Sequence, residues 1–367
     1  MNDFLALPRK IYKGNPYYVP DMDSEVRNWF DPKHNPGLQH CEVLPLVAYS
    51  EGGEIVGRIV GIINRKANQR WKGSCVRFGW IEFVDDFDVS AALLKAVEEW
   101  GSSKGMDSIQ GPLGIFDFDK EGMLIEDFDK IGSAITIYNP PYYPKHMEHH
   151  GFGKEVDWVQ VKVQIPDQVP ERYARVEKLV KEMYGLKVTK LTPRQVFKEG
   201  YGRKIFHLLN EAYSQLFGYT PLNEAEIDSF VNGYIRRVDL QCQPMVEDGE
   251  GNLIACSITM PNIARALQKT GGKMFPFGWY HLMRALKWKF EDEVELLLIA
   301  VHPEWQALGI NALIFCDLIP IFQKMGFRWA ETGPMLEDNL KVLTQWKPLN
   351  PITYKRRRCF GKEINSL

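Results

Sequence analysis

One succession of elements occurs twice in this chain of 367 residues, and that repetition limits its fold more than any single motif. In the first half, LPLVAYSEGGEIVGRIVGIIN (44–64) sets two β-branched apolar runs around Glu51-Gly52-Gly53-Glu54, the pattern of an antiparallel hairpin. A strand at 75–84 (CVRFGWIEFV) follows, then the acidic turn Asp85-Asp86-Phe87-Asp88. Ala92, Leu93, Ala96, Val97 and Trp100 recur at helical spacing, which predicts a helix over 89–104 with Ser90 as its N-cap and Gly105 at its close. A short strand at 108–110 runs into Gly111-Pro112.

The second half repeats this order. PMVEDGEGNLIACSITM (244–260) reads strand–turn–strand, turning at Asp248-Gly249-Glu250-Gly251. EVELLLIAV (293–301) is a strand, followed by a loop, a helical run over 309–325 and a short strand at 327–332 that meets Gly333-Pro334. Each half closes with a helical segment and an apolar strand, 156–165 and 352–360. Length alone favours two domains at roughly 150 residues each. The expected division is 1–166 and 167–367, at the polar, Pro-bearing stretch 166–170, where a strand gives way to a polar helix at 171–184.

With 45% hydrophobic and 25% charged residues, the chain has the composition of a globular protein with a real core. A net charge of -2 gives no reason to expect a nucleic-acid partner. The six cysteines (Cys41, Cys75, Cys242, Cys256, Cys316, Cys359) are far apart, with neither a C-x-x-C pair nor zinc spacing, so no metal is expected and a reducing cytoplasm suits them. No apolar run reaches the roughly 18–20 residues of a membrane span, and the N-terminus lacks a signal-peptide apolar region. The oligomeric state is not legible.

The chemistry-bearing motif follows the strand 293–301. There VHPEWQALGINALIF places Gln306, Ala307, Leu308, Gly309, Ile310 and Asn311 between a strand and an amphipathic helix. A helix N-terminus presents unpaired N–H donors and a partial positive charge, so it can hold a pyrophosphate. Glycine at 309 lets the backbone approach the phosphates. A strand, a Gln/Arg-x-x-Gly-x-Gly/Ala loop and a helix form the acyl-CoA signature of the GNAT acyltransferases, which this segment resembles. It departs at Asn311, where the family has glycine or alanine.

The resemblance implies a fold class of α/β (α+β type): two tandem GNAT-like domains, each a mixed, mostly antiparallel sheet flanked by helices. It further implies acetyl-CoA or another acyl-CoA as co-substrate, bound by 306–311. Backbone N–H groups at Ala300 and Val301 would polarise the thioester carbonyl. Glu295 becomes a candidate base on the strand, with surface and ion-pair roles as its alternatives. Asn339 stands where the family places a catalytic-site asparagine. The tyrosine that protonates the departing thiolate in the family would lie seven residues further on, where this chain has Trp346, and an indole N–H is too weakly acidic for that role.

The first half departs further. Asp85, Asp86 and Asp88 stand where a pyrophosphate would sit, and like charges there oppose binding, so its cofactor site reads as degenerate. FGWIEF (78–83), the loop 111–129 and YNPPYYP (138–144) gather carboxylates and aromatics instead. FLALPRKIYKGNPYYVP, DPKHNP, GRIVGIIN and NPPYYP resemble a bacterial family of two-repeat GNAT-fold proteins, the YghO-like proteins.

Three further stretches carry alternatives. His146, His149 and His150 read as surface histidines, with a metal pair at i, i+4 spacing as the alternative. The run Lys355-Arg356-Arg357-Arg358 reads as solvated, or as a contact for the 3′-phosphate of CoA. HLMRALKWKF (281–290), after FPFGW, is an amphipathic helix packed over the hairpin, or a membrane-facing or substrate lid. The function expected is transfer of an acyl group, acetyl first, from CoA to a small-molecule or peptide amine. The alternative is a catalytically inactive GNAT-fold protein for ligand sensing or interaction.

Overall fold

The computed structural model describes residues 1–233, 238–288 and 291–364. In chain order the strands are β1 (Cys41–Tyr49), β2 (Ile55–Asn64), β3 (Cys75–Phe83), β4 (Ser108–Gly111), β5 (Met123–Leu124), β6 (Gly153–Gln164) and β7 (Lys187–Thr189). They continue as β8 (Met245–Glu247), β9 (Leu253–Pro261), β10 (Glu293–Val301), β11 (Trp329–Thr332), β12 (Met335–Leu336) and β13 (Ile352–Glu363). The chain gathers into two compact units, and neither is a continuous stretch. Unit 1 comprises Met1–Val159, Ile263–Met283 and Lys355–Leu367; unit 2 comprises Gln160–Asn262 and Arg284–Tyr354.

The sheet of unit 1 runs β1-β2-β3-β4-β13, with β3 and β4 parallel and the other neighbours whose register is given antiparallel. That of unit 2 runs β6-β11-β10-β9-β8-β7, with β10 and β11 parallel and the rest antiparallel. Each is therefore a mixed, mostly antiparallel sheet containing one parallel pair. Unit 1 takes its last strand from the C-terminus of the chain, whereas unit 2 takes the end of β6. We propose 166/167 as the join between the two repeats in sequence; the compact units interleave around it.

The expected hairpins form where the turn residues allow. Gly53 adopts φ 79°, and Ser50 N donates to Glu54 O at 2.8 Å. In unit 1 the helix Phe87–Ser103 buries Leu93, Leu94 and Val97 on Ile59, Ile63, Val76 and Phe78. A Cβ at Gly61 would meet the Trp100 ring at 2.9 Å, so the small residue sets how closely helix and sheet approach. In unit 2 the helix Asn311–Met325 buries Leu313, Ile314, Leu318 and Phe322 against Val161, Val163, Val294 and Leu296. Each such side chain contributes about 1.5–3 kcal/mol on removal from water.

Two sequence expectations are corrected here. The N-cap of the helix Phe87–Ser103 is Asp86 rather than Ser90, because the Asp86 carboxylate accepts from Asp88 N at 2.9 Å and Val89 N at 3.5 Å. The basic run is not solvated. Lys355 and Arg357 are each 1% exposed, Arg357 Nη1 donates to Ile137 O, and Arg358 forms a two-point contact with Asp157 (Nε–Oδ1 2.8 Å, Nη2–Oδ2 3.0 Å). Burial alternates along the run: Lys355 and Arg357 lie in the core, while Arg356 and Arg358 are half-buried and both reach the buried Asp157 carboxylate.

Beneath unit 1 lies a polar knot. Glu82 Oε2 accepts from Tyr12 OH at 2.6 Å and Tyr143 OH at 2.9 Å, and Arg58 Nη2 lies 3.6 Å from Oε1. Burial pushes the Glu82 carboxyl up, while Arg58 and the two phenols pull it back. Arg58 also donates to Phe4 O at 2.7 Å, fastening the N-terminal helix Asn2–Ile11 to the sheet. Glu82→Ala leaves a buried guanidinium without its carboxylate and is expected to cost about 3–5 kcal/mol, read from the denaturant midpoint.

Candidate functional site

The site of unit 2 begins where its parallel pair ends. β10 and β11 stay in register from Glu293↔Trp329 to Leu296↔Thr332, and Gly333 N donates to Leu296 O at 2.8 Å. Past that point β10 continues alone on its β11 side to Val301, while its other side stays paired to β9 as far as Val301↔Ala255. His302 N donates to Ile254 O at 2.8 Å, so His302 and Ala300 turn their polar groups toward β9. The Ala300 N–H accordingly lies on the β9 side, where Ala300 stands in register with Cys256. Ile299 and Val301 turn theirs the other way, into the gap between the strands. Tyr213 OH donates to Ile299 O at 3.1 Å, and Gln306 Nε2 donates to Val301 O at 3.2 Å.

The loop that follows turns tightly and leaves its backbone at the surface. A 3₁₀ turn at Pro303–Trp305 ends β10, and Ala307 (φ 65°) and Gly309 (φ 83°) both take the left-handed region. Backbone alternating in this way turns successive N–H groups to one side. Gln306, Ala307 and Leu308 are exposed, Gly309 is half-buried and Ile310 is buried, so the loop presents its backbone to solvent while its end is anchored in the core. The helix Asn311–Met325 starts at once, aiming its N-terminus into the loop. Asn311 is turned aside: its Nδ2 donates to Gln345 Oε1 at 2.5 Å. Its Oδ1 is buried with no partner among the described residues.

Glu295 is 2% exposed, which removes the surface alternative. Its neighbours Val294 and Leu296 enter the apolar core under the helix Asn311–Met325, so Glu295 faces the opposite side of the sheet. There it pairs in register with Glu331, whose Oε1 accepts from Gln160 Nε2 at 3.0 Å. Asn339 caps the short helix Leu340–Thr344, accepting from Val342 N at 3.3 Å. Trp346 is 2% exposed, packs edge-on to Phe315 at 5.1 Å and helps line an apolar cavity with Leu296 and Leu318. The loop residues, Val301 and the Gln345 segment thus come together, whereas Asn339 spends its side chain on a cap.

Tyr213, which closes the helix Tyr201–Ala212, escaped the sequence analysis. It lies 86 residues from the strand it touches, and no periodicity links the two. Its only signal was a tyrosine at the end of an amphipathic helix ahead of the hairpin.

Unit 1 treats the equivalent places differently. Tyr143 OH accepts from Phe83 N at 2.9 Å and Tyr142 OH donates to Phe83 O at 2.6 Å, so two phenols saturate the end of β3. Asp86 takes the helix N–H groups that a phosphate would need. Among the three histidines the surface reading is corrected for His146, which is 1% exposed: its Nε2 lies 2.9 Å from Asp85 and its Nδ1 lies 2.9 Å from Ser90 Oγ. No metal-holding group of side chains occurs among the described residues.

No protein-family model matches the chain. Across 98% of its length it is 29% identical to YghO of Escherichia coli (strain K12), covering 92% of that protein. Over an equal share it is 28% identical to the bacterial ceramide synthase of Caulobacter vibrioides (strain NA1000 / CB15N), covering 94% of it. A tandem GNAT protein from the clavulanic acid pathway superposes with a TM-score of 0.55 at 12% identity, over 100% of this chain and 94% of that one. A GCN5-related N-acetyltransferase from Sphaerobacter thermophilus does so at 0.53 and 12%, over 99% and 92%. The fold of this chain is the tandem GNAT fold.

The loop makes its own prediction. A Cβ at Gly309 would have to hold φ 83° and meet Val176 Cγ1 at 2.6 Å. Gly309→Ala is expected to destabilise unit 2 by about 1–3 kcal/mol, measured by chemical denaturation.

Proposed function

We propose that this tandem GNAT-fold chain is an N-acyltransferase whose unit 2 draws an acyl group from acyl-CoA and places it on an amine. The observation that carries this reading is the one-sided end of β10 leading directly into a backbone cradle at a helix N-terminus. A pantetheine chain can pair with the gap side of Ile299 and Val301 while the pyrophosphate takes the N–H groups of 307–311. Gln306 orders the loop by its bond to Val301 O, and Ala300 packs behind the strand with its N–H on the β9 side.

In the transfer, the amine nitrogen attacks the thioester carbonyl, an amide C–N bond forms and the C–S bond breaks. One proton leaves the nitrogen and one joins the departing thiolate. Glu295, on the face away from the cofactor helix, is our candidate to take the first. Tyr213, already at the strand edge, is our candidate to supply the second in place of Trp346. Asn339 supports the segment carrying Gln345, which in turn holds Asn311. A ceramide is an N-acylated long-chain amino alcohol, so the relative called a ceramide synthase favours a fatty amine as acceptor and a long acyl group over acetyl. We place the reaction in the cytoplasm, where acyl-CoA is available.

Calorimetry with CoA and acyl-CoA is expected to show binding that Gly309→Val abolishes. Mass spectrometry after incubation with acetyl- or palmitoyl-CoA and a long-chain amino alcohol is expected to show the amide. Tyr213→Phe should lower kcat by about 10²–10⁴ with little change in KM for acyl-CoA. An unchanged kcat removes Tyr213 from the reaction, and absence of CoA binding sinks the whole proposal. Trp346 favours a second reading, a CoA-binding protein without turnover, which binding with no product across the amine panel would support.

A further inference from the structure

We infer that 273–283, in unit 1, is a docking surface for a bilayer carrying anionic phospholipids. Phe275 is 78% exposed, Phe277 70%, Trp279 45% and Tyr280 42%, with Met274 and Met283 beside them at 38% and 40%. Single exposed apolar side chains are ordinary, but a consecutive cluster of this kind marks a contact surface.

The cluster is held out rather than left loose. The helix Ala264–Thr270 buries Ala264 and Leu267 against Val19 and Met22. Gln268 Nε2 donates to Pro16 O at 2.8 Å and Tyr18 O at 3.0 Å, and Asp23 N donates to Gly272 O at 2.8 Å. Trp279 N closes the loop on Met274 O at 2.9 Å, and a Cβ at Gly278 would strike Lys273 O at 1.9 Å. The aromatic tips therefore cannot retreat into the core without breaking this frame.

Charge identifies the occupant. From 262 to 290 the chain carries Arg265, Lys269, Lys273, Arg284, Lys287 and Lys289 and not one Asp or Glu, although its overall charge is -2. Of these, Arg265, Lys269 and Lys273 are exposed residues of unit 1 that lead along the chain into the aromatic cluster. Aromatic rings with polar edges settle at the headgroup level, and each nearby Lys or Arg adds about 1 kcal/mol on an anionic surface. A second copy would bring the same cations to a two-fold contact and be repelled. No described helix is long and apolar enough to cross a membrane, so the contact is peripheral. The inference does not depend on the acyltransferase reading.

The test is co-sedimentation of the full chain with vesicles of phosphatidylcholine alone or mixed with phosphatidylglycerol. Binding to the mixed vesicles is expected to exceed that to the neutral ones by about tenfold or more. Phe275→Ser with Phe277→Ser should weaken it at least about tenfold while the thermal midpoint stays put, since both rings are exposed. Lys269→Glu with Lys273→Glu should erase the preference for anionic vesicles. The inference is overturned if the chain pellets with neither vesicle, or if both double variants bind as the unaltered chain does. It is equally overturned if light scattering shows a dimer that the phenylalanine variant converts to a monomer and vesicles are ignored.

Discussion

A parallel strand pair that stops early is the constraint on which the rest of this protein depends. In unit 2 the pairing of β10 with β11 ends at Leu296 and Thr332, where Gly333-Pro334 turns the chain away. Gly333 still packs closely on β10, where a Cβ would meet Leu297 O at 2.7 Å, but proline at 334 has no N–H to extend the ladder, so the strands part after it. β10 must run on, because β9 holds its other side to Val301. The consequence is a strand whose polar groups on one side are left for something other than sheet. Tyr213 and Gln306 reach two of its carbonyls, and the loop at 307–310 extends the same backbone-lined path.

Unit 1 shows the same device put to another use. Its parallel pair ends at Arg77 and Gln110, ahead of Gly111-Pro112, and a Cβ at Gly111 would sit 2.2 Å from Phe78 O. There the gap is closed from within by Tyr142 and Tyr143 of the NPPYYP segment, and the helix N-terminus is capped by Asp86. A side-chain carboxylate at an N-cap and a bound phosphate compete for the same N–H groups, so a helix can serve one or the other. One framework thus supports a core-locked unit and a unit with an available backbone edge.

Much of the fold was legible in the sequence because its signals are local. Hairpins at 44–64 and 244–260, the helical run expected over 309–325 and found at Asn311–Met325, and the polar helix Glu171–Tyr184 follow from alternation, helical spacing and turn residues within a few positions. The errors share a cause. Ser90 as a cap and Lys355-Arg356-Arg357-Arg358 as a solvated run both fail because a sequence shows residue type but not which strands or helices cover it. His146 is buried because the helix Tyr142–His149 lays it beside Asp85 and Ser90, about 60 residues distant.

The sequence by itself determined the repeat and the strand–loop–helix unit at 293–325, since each rests on spacing between near neighbours, whereas the need for glycine at 309 also rests on Val176 packed against it. Only the tertiary structure decided that Glu295 is buried on the face opposite the helix, that Trp346 belongs to the core and that Tyr213 stands at the open strand edge. Those facts depend on which distant segments fold against one another, and burial and strand register are settled only when the sheet closes.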